Sequence, residues 1–235
     1  MSRPEPNLRR AQHLIRDKLL EQRFDVLWRR CLLPSVSGDP KVIWKRLARR
    51  YAEPHRHYHV LEHLAHCLDQ IDLAADHIDN VDQVEMAIWF HDIINNPGAK
   101  DNEQRSAELF RRIGKGLFDP GFIDAVADLI LVTTHQECPA DLDHQFICDI
   151  DLASFGCPWE CFMRDSDAVK AEYPGPEADY FRGQTAFLES LLARPRIFMT
   201  DFFNTRYEQQ ARDNIQLLLR HLNKERAGKT PSSTA

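Results

Sequence analysis

Apolar residues three and four positions apart recur along most of the chain, the spacing of amphipathic helices. The first such stretch, LRRAQHLIRDKLLEQRFDVLWRRCLL (8–33), ends at the breaker SVSGDP (35–40). KVIWKRLARRYAE (41–53) predicts a second helix, closed before Pro54, and a third is expected from about Tyr58 to Ala75. DQVEMAIWFHDII (82–94) predicts a fourth, stopped by NNPG. DNEQRSAELFRRIG (101–114) predicts a fifth, with Asp101 as N-cap and Gly114 near its end. DPGFIDAVADLILVTTHQ (119–136) keeps the helical period, although its LILVTT segment is β-branched enough to permit a strand. Three or four more helices are expected after Asp149, punctuated by YPGPEAD and ARPRI. The polar end, 223–235, reads as a disordered tail. The pattern predicts an all-α helical bundle in one domain over 1–222, with no internal repeat.

Composition narrows the classes. A chain of 235 residues that is 43% hydrophobic can bury one good-sized core. Its net charge of −6 argues against a nucleic-acid binder. The basic runs LRR, WRR and WKRLARR read as solvated helix faces. No apolar run approaches the ~18 residues of a membrane span, and the N-terminus lacks an apolar signal core. The six cysteines are scattered, and Cys157 and Cys161 have no second pair to complete a zinc knuckle. Reduced thiols in a cytoplasmic protein are expected.

The first candidate chemistry lies in PHRHYHVLEHLAHC (54–67), five histidines in fourteen residues. On a helix, residues four apart share a face, so His59 and His63 point the same way. Imidazoles so placed suit a transition metal. The plainer alternative is an amphipathic helix with surface histidines, the reading preferred for His55, His57 and His66. HVLEH also fits H-x-x-E-H, a zinc-protease pattern with Glu62 as general base.

Further on, carboxylates occur where the pattern expects core. WFHDII places His91 and Asp92 in an apolar run, and QFICDIDLASFG does the same for Asp149 and Asp151. A buried ionised carboxylate costs several kcal/mol unless a cation or hydrogen bonds compensate it. A metal ion would satisfy His91 and Asp92 together; a structural His–Asp pair would do so as well. Asp149 and Asp151 could equally be helix caps.

Taken in order, His63, His91–Asp92 and Asp151 resemble the H…HD…D series of the HD metal-dependent phosphohydrolase superfamily. YHVLEH is similar to the opening of its cyclic-nucleotide phosphodiesterase branch. The chain further resembles a group of stand-alone bacterial HD proteins classed as predicted phosphohydrolases. The shared stretches are YHVLEH, FHDII, DNEQRSA, TTHQ, DIDLASFG, AEYPG and EQQARDN, from about Tyr51 to Leu219. The resemblance implies an HD-type helical bundle with additional N- and C-terminal helices and a metal-binding core at about 51–165. It implies His63, His91, Asp92 and Asp151 as metal ligands and His59 as the acid that protonates the leaving group.

Mixed imidazole and carboxylate ligation suits Mn, Fe, Co, Ni or Zn better than Mg, as one ion or two. Such an ion would activate water for phosphoester hydrolysis. Asp92 could double as proton acceptor, and Glu103 could orient water. His135 and Asp149 are candidates for a second metal or for phosphate. Lys100 and Arg105 are candidates for substrate phosphate, with Arg182, and with Arg56 and His57 at the cleft mouth. Arg212, four residues from Glu208, reads as an ion-pair partner. The expected partner is a small phosphorylated molecule, a nucleotide first. The rival readings are a non-catalytic nucleotide-binding or regulatory HD protein and, remotely, the zinc protease.

Overall fold

A computed structural model describes residues 6–136 and 138–228. Among these are ten α-helices and no strand: α1 Pro6–Cys31, α2 Pro40–Arg50, α3 Leu61–Ala74, α4 Val81–Phe90, α5 Asn102–Gly114, α6 Pro120–Val132, α7 Leu142–Leu152, α8 Trp159–Glu172, α9 Glu177–Ala193 and α10 Asp201–Gly228. The all-α prediction is met. LILVTT is helical to Val132, because Leu129 and Ile130 are buried on the face of α6 that packs against α4 and α5. The helix α10 continues through Gly228, six residues into the segment expected to be disordered; the rest of that tail lies outside the described residues. No described helix is long and apolar enough to cross a membrane.

Local chemistry sets the helix ends. Asp39, Asp119 and Asp141 accept hydrogen bonds from the first backbone N–H groups of α2, α6 and α7. Pro40 and Pro120 occupy first-turn positions, where a missing N–H costs nothing. Asp101 sits at the N-cap of α5 but makes no side-chain cap bond; Asn102 instead accepts from Asn96 N. A buried aromatic cluster of Phe24, Trp28, Trp44, Trp89, Phe90, Phe110 and Phe118 ties α1, α2, α4 and α5 together.

Two boundaries bear on function. The third helix starts at Leu61, so His59 lies in the turn before it rather than on it. The fourth ends at Phe90 with His91 as its C-cap, so the His–Asp doublet sits where the helix stops. The helices α3, α4 and α7 pack on one another, and α7 runs on into a 3₁₀ turn, Ala153–Gly156, packed against α8 and α10. Gly156 is required there, because a Cβ would collide with the ring of Tyr207 on α10.

Candidate functional site

Three packed helices bring four groups together. His63 is the third residue of α3, His91 and Asp92 follow α4, and Asp151 is the last residue but one of α7. His63 and His91 are buried, and the two aspartates are nearly so. His63 Nε2 lies 3.3 Å from His91 Nε2. Asp151 Oδ1 lies 3.2 Å from His63 Nε2 and 3.5 Å from His91 Nε2. Asp92 Oδ2 lies 3.0 Å from His91 Nε2 and 3.7 Å from His63 Nε2.

These spacings fit a metal ion. With ligand bonds of ~2.1 Å, neighbouring ligand atoms are ~3.0–3.4 Å apart in octahedral or tetrahedral arrangements. His63, His91 and Asp151 form the tightest set, with ligand atoms all within 4.8 Å of one another. The tautomer is also right: His91 Nδ1 lies 2.7 Å from Ile88 O and donates to it, which leaves the Nε2 lone pair facing the other ligands.

The electrostatics ask for a cation. Burial disfavours an imidazolium at His91, yet Asp92 and Asp151 outweigh it and hold this residue well above its usual range. Burial would raise both carboxyls, but the surrounding histidines hold Asp92 and Asp151 below the ordinary carboxylate range.

Beside this centre stands His59. Its Nδ1 meets Glu172 Oε2 at 2.5 Å, and its Nε2 is 3.9 Å from Asp92 Oδ2. Burial opposes charge on His59, but Asp92 and then Glu172 prevail and raise its pKa. Glu172 also accepts from the backbone N–H groups of His57, Tyr58 and His59, at 2.6, 2.7 and 2.9 Å. Three consecutive N–H groups on one carboxylate oxygen explain why the chain turns before α3 instead of continuing the helix.

His135 Nε2 lies 2.8 Å from Asp151 Oδ2, the oxygen of that carboxylate facing away from the two imidazoles. His135 therefore touches a candidate ligand and can fix its orientation. It adopts a left-handed φ of 56°, and Arg194 Nη2 donates to its carbonyl. Glu103 is half-buried in the first turn of α5, and among the described residues its carboxylate has no partner on another residue. Burial first, then the charge of Asp92, raises its pKa.

Several expectations need correction. Asp149 is fully buried and turned to α10, accepting from Met199 N, Thr200 N and Thr200 Oγ1 at 2.7–2.8 Å. It caps that helix and takes no part in a second metal site. Lys100 and Arg105 are exposed and line none of the cavities beside the centre. Arg182 pairs with Asp179, and Arg212 with Glu208 and three backbone carbonyls. Glu62 is half-exposed against Arg16 and His13 of α1, away from His63, so it cannot be the base of a zinc protease. His57 is exposed as expected, but His55 Nε2 meets Asn95 O at 2.8 Å and His66 is half-buried.

Arg56 is wholly buried rather than at a cleft mouth. It donates to the carbonyls of His59, Asp92 and Ile93 and pairs with Glu53. One guanidinium thus satisfies carbonyls just past the end of α4 and fastens the His59 turn to the His–Asp doublet. Neither this role nor that of Glu172 follows from helical spacing. The AEYPG stretch was the one sequence signal that pointed near Glu172. No family model matches the chain, and no curated protein or solved structure matches it.

Proposed function

We propose that this protein is a metal-dependent HD-type phosphohydrolase that acts on a phosphoester of a small cytoplasmic metabolite, with nucleotides the first class to test. The observation that carries this reading is the convergence of His63, His91, Asp92 and Asp151 from three helices on one buried point. Bound there, a divalent transition ion supplies Lewis acidity toward water and a phosphoryl oxygen.

The chain's own residues supply the proton transfers. Glu172 holds His59 Nδ1 and leaves Nε2 beside Asp92, where the leaving oxygen of a substrate can meet it. A water oxygen forms the new bond to phosphorus. The ester P–O bond breaks, and its electron pair goes to the leaving oxygen, which takes the proton from His59 Nε2. Asp92 accepts the proton that the water releases, and Glu103 orients that water. His135 keeps Asp151 in place through the 2.8 Å contact.

The test is direct. Metal content of the purified protein is measured, and a panel of phosphoesters is screened with Mn²⁺, Co²⁺, Ni²⁺ and Zn²⁺. Asp92→Ala is expected to lose both bound ion and turnover. An Asp92→Ala protein that keeps both overturns the reading.

A further inference from the structure

We infer, on the phosphohydrolase reading above, that the site takes phosphomonoesters of a compact uncharged body and discriminates against chains of phosphates. The lining of the space beside the candidate metal centre carries this. A cavity of about 180 Å³ opens onto His59, His135 and Asp151. Its far wall is apolar and aromatic, made by Phe155, Phe162, Val169 and Phe187. A second cavity, of about 310 Å³, shares Val169 and Gln184 with the first and is faced by Tyr173 and Tyr180.

Among the described residues, no lysine or arginine lines either cavity. Carboxylates do: Asp165 in the first, Glu172 and Asp179 in the second. The cations on neighbouring helix positions are committed to ion pairs, Arg164 with Asp165, Arg182 with Asp179 and Lys170 with Glu177. Arg56 is committed to backbone carbonyls. Phosphate chains are ordinarily held by arginine forks or lysines. Here each phosphoryl group beyond the first would lie in a space that offers carboxylates and neither lysine nor arginine. One phosphoryl group can be served by the metal centre; a second or third cannot.

Size and polarity define the rest of the substrate. An apolar cavity of about 150 Å³ holds a benzene ring, so the first cavity accommodates roughly one ring system. The side chain of Gln184 has no hydrogen-bond partner among the described residues and borders both cavities. Its amide presents one donor face and one acceptor to the polar edge of such a body. A phenyl phosphate matches the first cavity alone, and a nucleoside monophosphate, with base and sugar, needs the adjoining second cavity as well; a nucleoside triphosphate matches neither lining. For these monoesters a water oxygen bonds to phosphorus as the ester P–O bond breaks, the leaving oxygen takes the proton of His59 and departs as a neutral alcohol, and inorganic phosphate is the other product.

The experiment uses the full chain loaded with Mn²⁺ or Co²⁺. Phenyl phosphate, a nucleoside monophosphate and the matching triphosphate are compared by kcat/KM. In parallel, calorimetry measures binding of phenylphosphonate, which cannot be hydrolysed. The monoesters are expected to exceed the triphosphate by at least about tenfold. Phe187→Ala is expected to raise KM for phenyl phosphate about tenfold or more and to weaken phenylphosphonate alike. Gln184→Arg, which adds a cation at the cavity wall, is expected to narrow the gap between monophosphate and triphosphate. A preference for the triphosphate, or a Gln184→Arg protein with an unchanged ratio, overturns the inference. If triphosphates are hydrolysed and monoesters are not, the inference fails and the phosphohydrolase reading stands. If phenylphosphonate binds but no phosphoester is cleaved, the phosphohydrolase reading fails while the recognition survives. Neither binding nor cleavage overturns both.

Discussion

Replacing Glu172 by glutamine keeps the shape of the side chain and removes its charge. In the native fold the carboxyl is held down to about 2 from an ordinary 4.5. Burial alone would raise it; the bond to His59, the charge of His59 and the backbone N–H groups reverse the sign. A gap of that size corresponds to ~3 kcal/mol at ~1.4 kcal/mol per pH unit. Glutamine keeps one acceptor oxygen for the same N–H groups, so the expected loss is ~1–2 kcal/mol. The sign is fixed by the direction of the shift. A depressed carboxyl stabilises the fold fully above its unfolded pKa and loses that contribution as pH falls from 4.5 towards 2. Urea unfolding of the two proteins should therefore show lower stability for Glu172→Gln at pH 7 and a difference that shrinks below pH 4. The same variant should lower the His59 pKa, because burial is then opposed by Asp92 without Glu172. The alkaline limb of phosphoester hydrolysis, where His59 loses its proton, should move to lower pH. Equal urea midpoints at pH 7, together with an unmoved alkaline limb, would refute the argument.

Divalent transition ions at a hundredfold excess over their Kd should stabilise the native protein by ~2.7 kcal/mol, and His63→Ala should abolish the corresponding rise in Tm. Arg56→Lys should cost ~2–4 kcal/mol in urea unfolding, since a lysine cannot reach three carbonyls and Glu53 at once; an unchanged midpoint would contradict the bridging role. Asp149→Asn puts an amide N–H against backbone donors and should destabilise by ~1–3 kcal/mol while leaving metal content intact. Asp151→Asn should lose the metal, and similar metal content in both variants would show that the two aspartates have been wrongly separated.

The all-helical architecture is written in the repeat of apolar positions, because a helix that must bury one face places them three and four apart whatever its neighbours do. The order of the candidate ligands is also legible. A carboxylate in a core-like run, as at Asp92 and Asp151, has to be compensated, and histidines elsewhere in the chain are the natural partners. The pattern could not separate Asp149 from Asp151. Both are carboxylates in one apolar stretch, and only the packing of α7 against α10 turns one to a helix N-terminus and the other to His63, His91 and His135.

Helix boundaries mislead where tertiary bonds replace helical ones. His59 has helical spacing to His63, yet it sits in a turn because Glu172, 113 positions later, takes the N–H groups that would otherwise serve other partners. Arg56 is expected at the cleft mouth, yet it is buried because carbonyls beyond the end of α4 need donors. The sequence by itself determined the all-α fold class and singled out His59, His63, the His91–Asp92 doublet and the Asp149/Asp151 pair as candidates, since local periodicity and the cost of burying charge are properties of short segments. Which carboxylate orients His59, which aspartate faces the centre, and the absence of lysine and arginine, among the described residues, from the lining of the neighbouring cavities were decided only by the tertiary structure. Each depends on groups far apart in the chain meeting across packed helices, which no local pattern encodes.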